Sequence, residues 1–396
     1  MPDGIDGSGF MPGERAPLVH APDGPLAGLT FAAKDLYDVA GSPTTYGNPD
    51  WARTQPVPPS TAPAVLMLAE AGARFVGKTK TMELAYGLTG ENVWYGTPLN
   101  PAAPDRFPGG SSCGSASVVA SGEADIALGS DTGGSVRIPA SYCGVYGIRP
   151  SWGAVPLTGT RGLAPSFDTA GWFAGRASVL RRTGEVLLPL GGEGPLGPLL
   201  RVQEAWMNAQ PAVANALTPA MEAVGSVMDG CLQVSLFTET LAVVYEHFRC
   251  MQAEEAWATL GDWVAAAEPA FGPGVGERFA IARAMAPEKA AAGRAYRRAF
   301  RQRLLGLLGG GAVLVYPTSP IPAPKLGASA EEQLWAREVT IGVTAIAGLG
   351  GLPEVSIPAG KVEGAPVGFS LVAAPGRDRA LLALAERVAE RLGLPV

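Results

Sequence analysis

The chain has 396 residues, 47% hydrophobic and 17% charged, which supplies a sizeable core and excludes global disorder. Its net charge of −6 leaves no basic footprint for nucleic acid or an anionic membrane surface. Four cysteines (Cys113, Cys143, Cys231, Cys250) are too few for a disulfide scaffold and lack metal-ligand spacing, and the start carries no basic-then-apolar leader, so the expected setting is a reduced cytoplasm.

Residues 1–26 read as an irregular arm. Leu29 to Ala33 is an apolar strand that ends at Lys34. Ser60 is placed to cap a helix with Pro63 in its first turn, and Val65, Leu68, Ala69 and Gly72 share one face. Arg74 to Val76 is a short strand. A Gly/Ser loop then leads into a helix of small residues, Gly114 to Ala120. Ile126 to Gly129 is a strand entering the loop Ser130 to Ser135, and Val145 to Ile148 is another before Pro150. Strands alternating with helices argue for an α/β layer architecture. Leu190 to Pro198 (LGGEGPLGP) is the strongest break in the chain. Beyond it, residues 195–305 read as Ala-rich and helical, with Trp206, Trp257 and Trp263 as packing residues. Ala312 to Tyr316, Val355 to Ile357 and Val367 to Val372 are further strands. Leu381, Leu384, Ala385, Val388 and Leu392 form the stripe of a final helix that Gly393 caps. The apolar run Val339 to Pro353 is too short and too broken by glycine to span a bilayer.

Several motifs look like chemistry and read better as structure. Gly72 to Thr79 (GARFVGKT) matches a phosphate-binding loop, but its middle is itself the strand, so no cradle of N–H groups can form. Gly110 to Gly114 (GSSCG) matches a nucleophile elbow centred on Ser112. Three prolines between Pro101 and Pro108 exclude the strand that an elbow needs. The two histidines are His20 and His247, and His247 lies in an apolar helical segment. A cluster of arginines (Arg294, Arg297, Arg298, Arg301, Arg303) reads as a solvated helix face. Cys113 has no base beside it.

Residues 108–139, PGGSSCGSASVVASGEADIALGSDTGGSVRIP, are more specific. Two Gly/Ser loops flank one helix and one strand. The segment Thr132-Gly133-Gly134-Ser135 offers a hydroxyl and several N–H donors in one loop. Acyl transfer needs that pairing, a nucleophile beside an oxyanion hole, although an anion nest or a structural turn would look the same. With histidine nearly absent, a lysine is the natural base. Lysine serves only when burial favours its neutral form, and Lys34 at the end of an apolar strand is a candidate.

These segments resemble the amidase signature family. The likeness is carried by GGSSCGSA, by SDTGGSVRIPASYCGVYGIRPS and by LTFAAKDLYDVAG around Lys34. AGARFVGKTKTMELAYG, ENVWYGTPLNP, SFDTAGWFA and the C-terminal GLPEVSIPAG to GRDRALLALAERV extend it. The resemblance implies one large α/β domain over residues 1–396, a central mixed sheet covered by helices on both faces. It implies Ser135 as nucleophile, Ser111 as bridging serine after a cis peptide bond from Gly110, and Lys34 as base. Backbone amides of Thr132, Gly133, Gly134 and Ser135 would form the oxyanion hole. Ser130 would stand near the lysine, and an Asp131–Arg137 ion pair would fix the loop. No metal or organic cofactor is implied. The partners expected are a small-molecule amide and at most a second copy of the chain, with no nucleic acid and no membrane. The short chain, with Gly47 to Trp51 (GNPDW), most resembles amidases that include indole-3-acetamide hydrolases, and the expected reaction is release of ammonia from a small primary carboxamide. Tyr46, Trp94 and Tyr95 are candidates for the acyl pocket or for the core. Carboxylated-urea hydrolases of the allophanate or biuret type and glutamine-dependent amidotransferase A subunits are the alternative relatives.

Overall fold

The computed structural model describes residues 7–13, 17–228 and 230–396. Among them, ten strands form one mixed sheet: β1 (Thr30–Lys34), β2 (Arg74–Thr79), β3 (Ile126–Asp131), β4 (Tyr146–Arg149), β5 (Thr169–Ala174), β6 (Leu199–Val202), β7 (Cys231–Val234), β8 (Val313–Pro317), β9 (Glu354–Val362) and β10 (Ala365–Val372). Their spatial order is β2-β1-β3-β5-β4-β9-β10-β8-β6-β7. β1 runs parallel to β2 and β3, the strands from β3 through β5, β4, β9 and β10 to β8 pair antiparallel, and β6 runs parallel to β7 and β8.

Period-2 alternation sends neighbouring residues to opposite faces of this sheet. Phe31, Ala33, Ile126, Leu128, Trp172 and Ala174 join the larger apolar cluster with the Pro63–Glu70, Ala177–Leu187 and Asp378–Leu392 helices. Ala32, Ala127 and Phe173 join a second cluster with Ala116, Val118 and Val119 of the Cys113–Ala120 helix. Both faces are therefore covered, and strand runs such as TAGWFA are buried from end to end. Trp172 is fully buried and donates from Nε1 to the carbonyl of Leu180 at 3.0 Å, which pins the Ala177–Leu187 helix to the sheet.

The structure differs from the sequence reading at the Pro63–Glu70 helix and adds detail at two other places. The break at Leu190 to Pro198 is a loop within the one domain, and β6 and β7 on its far side extend the same sheet. Ser60 does not cap the Pro63–Glu70 helix, and Gly72 lies beyond its end at φ +95°. Val339 to Gly350 is the second half of a helix, Ala330–Gly350, that opens with a capping box of Ser329 and Glu332, and Gly351 to Pro353 lie beyond its end. The described part of the N-terminal arm is irregular but tied down. Met11 N–H donates to Lys78 C=O at 2.9 Å, and Phe10 bridges Thr79. Residues 1–6 and 14–16 of that arm lie outside the described residues.

Candidate active site

Parallel pairing puts the carboxyl ends of β1 and β3 side by side, with Ala33 opposite Leu128. Lys34 ends one strand and Ser130–Asp131 end the other, so three polar side chains leave the sheet at one point. The carboxyl edge of parallel strands is where such sheets commonly bind ligands. Lys34 lies on the same face as Ala32, toward the Cys113–Ala120 helix. Its Nζ is 2.7 Å from Ser111 Oγ and 2.8 Å from Ser130 Oγ. Lys34 and Ser111 are both fully buried. Among the described residues no carboxylate forms an ion pair with Lys34. Burial pulls its ammonium down to about 7, against the weaker opposing pull of Cys113, Asp131 and Asp168.

Ser111 is set by a loop in which every turn is tied. Gly110 N–H donates to Leu88 C=O at 2.7 Å and Gly109 N–H to Thr89 C=O at 3.0 Å, while Ser111 C=O accepts from Met82 N–H at 3.0 Å. Gly109 sits at φ +76°, and a Cβ there would fall 2.9 Å from Pro139 Cα, so only glycine fits. The Gly110–Ser111 peptide bond is cis. Ser112, the centre of the elbow-like match, serves as a brace. Its Oγ accepts from Ser130 N–H and donates to Ser130 C=O, each at 3.2 Å. Its own N–H donates to Ser135 C=O at 3.2 Å, joining the Ser111 loop to the loop that carries Ser135. Ser135 is 4% exposed. Among the described residues no hydrogen bond joins the hydroxyls of Ser111 and Ser135.

Asp131 shapes the Ser135 loop from inside. Its carboxylate accepts from the N–H groups of Gly134 (2.9 Å) and Val136 (3.0 Å). Arg137 pairs with it at 2.8 Å, as the sequence led us to expect, and Arg149 also pairs with it at 3.1 Å. Arg137 reaches on to Glu354 at 2.6 Å, so two guanidiniums and two carboxylates balance in a region with no exposure. Burial opposes ionisation of Asp131, yet Arg137 and Arg149 outweigh it and hold the carboxyl well below the usual carboxylate range. Thr132 Oγ1 donates to Asp168 Oδ1 at 2.5 Å. One expectation changes here: the Gly134 N–H is committed to Asp131 and is not free for an oxyanion. The N–H groups of Gly133 and Ser135 donate to no acceptor among the described residues. Sequence reasoning missed Arg149, Asp168 and Glu354. The only sequence signal for them was membership of the quoted segments.

The remaining motif residues have structural roles. Burial pushes the Cys113 thiol up to about 11, away from thiolate chemistry. His247 stacks on Tyr296 with ring centroids 4.4 Å apart. Not all of the arginine cluster is a solvated face, because Arg297 and Arg301 donate to the carbonyls of Leu349 (3.1 Å) and Gly350 (3.0 Å) and close the C-terminus of the Ala330–Gly350 helix. Tyr46 is fully buried core, whereas Trp94 is 39% exposed and donates to Glu83 Oε1.

A cavity of about 550 Å³, within the size range of small-ligand sites, is lined by residues that neighbour both loops, although Lys34, Ser111 and Ser135 are not in its wall. Met82, whose N–H holds Ser111 C=O, lines it, as does Ile138, whose N–H holds Gly134 C=O at 2.8 Å. Among the described residues no group of three His, Cys, Asp or Glu side chains is arranged to hold a metal ion.

The sequence profile of the Amidase family matches residues 12–188 and 231–382. Amidase 1 of Arabidopsis thaliana is 40% identical over 395 residues, covering 92% of this chain and 93% of that protein. A crystal structure described as an amidase superposes with a TM-score of 0.82 at 35% identity, covering 93% of this chain and 86% of the other. A protein named Translocon at the outer membrane of chloroplasts 64, from Pisum sativum, is 35% identical over 90% of this chain and 65% of its own length. That relative corrects the expected cytoplasmic setting. Composition describes how a chain folds, not where its relatives are held, and that relative is named for a membrane. Among the described residues no helix is long and apolar enough to cross a membrane. With the profile covering most of the chain and so close a full-length relative, this protein belongs to the amidase family and is a hydrolase of amide C–N bonds.

Proposed function

We propose that the protein releases ammonia from a small primary carboxamide through an acyl-enzyme on Ser135. The observation that carries this reading is Lys34 Nζ, buried, 2.7 Å from Ser111 Oγ and, among the described residues, without a carboxylate partner. A neutral amine there accepts the proton of Ser111 while Ser111 accepts that of Ser135. The Ser135 oxygen then attacks the amide carbon. The N–H groups of Gly133 and Ser135 face the developing oxyanion, with Thr132 completing the loop, and such donors are worth about 3–4 kcal/mol each in the transition state. Ser111 returns a proton to the leaving nitrogen, the C–N bond breaks, and ammonia departs. Water then attacks the acyl carbon as its proton passes through Ser111 to Lys34. The ester C–O bond to Ser135 breaks, Lys34 returns the proton to Ser135 through Ser111, and the carboxylic acid product leaves as the carboxylate. Ser130 orients the lysine, and the Asp131–Arg137–Arg149 cluster holds the Ser135 loop.

An ammonia-release screen over acetamide, benzamide, indole-3-acetamide, malonamate, allophanate and glutamine tests the reading. We expect turnover of at least one primary amide and labelling by a fluorophosphonate probe that Ser135→Ala abolishes. Labelling that persists in Ser135→Ala, or no turnover of any amide, contradicts it.

A further inference from the structure

A neutral Lys34 can take the proton of Ser111 only if its lone pair faces Ser111. The amine has one lone pair and two N–H groups, so the N–H groups must be directed elsewhere. Ser130 Oγ, 2.8 Å from Nζ, is placed to accept one of them. It does so only while its own hydroxyl hydrogen points away from the amine. Among the described residues that hydroxyl donates to no acceptor. A buried hydroxyl without an acceptor turns its hydrogen to the nearest lone pair, here the one on Lys34, and competes with Ser111 for it.

Ser130 also lines a second, small cavity of about 20 Å³, room for one water. Thr132, Thr160, Arg161, Gly162 and Asp168 stand in its wall, and it shares no wall residue with the 550 Å³ cavity. Arg161 N–H donates to Leu36 C=O at 2.9 Å, which fixes this part of the β4–β5 loop against the turn after Lys34. Thr160 Oγ1 and Arg161 Nε are buried, and no group among the described residues pairs with either. Nη2 of the same guanidinium holds Asp38 at 2.8 Å. Asp168 is buried and forms no ion pair among the described residues. Its carboxylate accepts from Thr132 Oγ1, from Leu163 N–H at 2.8 Å and from Ala164 N–H at 3.0 Å. Burial pushes the carboxyl up, while these donors and Arg149 hold it down. A carboxylate has about four acceptor positions, so one is still open. The cavity thus offers a water two donors, Ser130 Oγ and Arg161 Nε, and two acceptors, Thr160 Oγ1 and Asp168.

We propose that this cavity binds one buried water that accepts the Ser130 hydroxyl hydrogen and donates to Asp168. The chain of hydrogen bonds then runs one way, from Ser111 through Lys34, Ser130 and the water to the carboxylate, each group donating to the next. That polarity leaves the Lys34 lone pair to Ser111. Asp168 and Thr160 are positioning residues, since they act on Lys34 through the water and Ser130. The effect on catalysis rests on the reading of Lys34 as the base, whereas the water site itself does not.

A high-resolution crystal structure of the wild-type enzyme is expected to show a water within hydrogen-bond distance of Ser130 Oγ and Thr160 Oγ1. Two variants then test its effect. Thr160→Val keeps the shape of the side chain and removes the hydroxyl. Gly162→Ala adds a methyl group to the cavity wall, 3.2 Å from Asp168 Oδ2. Each should lower kcat by about five-fold with KM nearly unchanged, and Thr160→Ser should recover most of the loss. Ser130→Ala removes the link to Lys34, so in that background the same two changes should alter kcat by less than about two-fold. Equal losses with and without Ser130, no loss in either variant, or wild-type density without a water against Ser130 overturns the proposal. A water that Thr160→Val displaces, in an enzyme that turns over no amide, supports the site and overturns the hydrolase reading.

Discussion

Lys34 and Lys78 leave the sheet at the ends of neighbouring parallel strands and meet opposite surroundings. Lys78 lies opposite Ala33 in the β1–β2 register, one step before Lys34. It is buried, and its Nζ meets Asp35 Oδ1 at 2.7 Å, Pro43 C=O at 2.9 Å and Thr44 Oγ1 at 3.0 Å. Lys34 is buried more deeply, and among the described residues its Nζ finds the hydroxyls of Ser111 and Ser130 and no carboxylate. The carboxylate that follows Lys34 in the chain goes to Lys78, because successive residues of an extended chain point apart. One lysine is thereby an ion-pair member and the other a candidate base, and which is which depends on where the side chain of Asp35 points.

The largest expected effect separates the two lysines by activity. Lys34→Met should lower kcat/KM by about 10³-fold, the scale of a lost general base. It should also stabilise the fold. The folded-state pKa of about 7 lies below the ordinary 10.5, so the unfolded chain binds the extra proton between those values. Wild type therefore gains stability as pH rises through that window and carries the full cost of the buried amine below it. The variant should raise Tm at about pH 6 and raise it less at about pH 9. Lys78→Met should do the reverse. It leaves Asp35 buried without its partner and should cost about 3–5 kcal/mol in denaturant unfolding, with activity per folded molecule largely kept. Equal losses of activity in the two variants would erase the contrast.

Ser130→Ala should have a smaller effect, about ten-fold in kcat. It removes an oxygen that accepts from the ammonium form, so the pH profile should shift toward lower pH. An unshifted profile would mean that Ser130 only fills space. His247→Ala should change kcat/KM by less than about two-fold, since the imidazole stacks on Tyr296 and, among the described residues, makes no hydrogen bond to the Lys34, Ser111 or Ser135 side chains. A collapse of activity there would point to a histidine-dependent hydrolase.

The features legible in the sequence are those written in local pattern. The apolar run ending at Lys34 marks a strand end, and the Gly/Ser loops around Ser111 and Ser135 mark close backbone approach. Contacts between distant segments are not written that way. Asp131 and Arg137 stand six residues apart and could be paired on sight, but Arg149 and Glu354 reach the same cluster only because β3, β5, β4 and β9 are laid side by side. β7 was missed because Cys231, Leu232 and Gln233 are exposed, which leaves no apolar pattern in a four-residue strand. The loss of Gly134 from the oxyanion donors was equally invisible. It depends on a carboxylate turning back under its own loop. Ser130, Thr160 and Asp168 belong to separate segments, and only the fold brings them around one cavity.

The most direct test of the account is the pH dependence of Ser135 acylation, followed as the rate of fluorophosphonate labelling in wild type and in Lys34→Met. The account predicts a rate that rises with pH through a midpoint near 7 as the buried amine loses its proton, and a slow rate without that rise in the variant. A midpoint near 10.5, or the same rise through 7 in Lys34→Met, would contradict it.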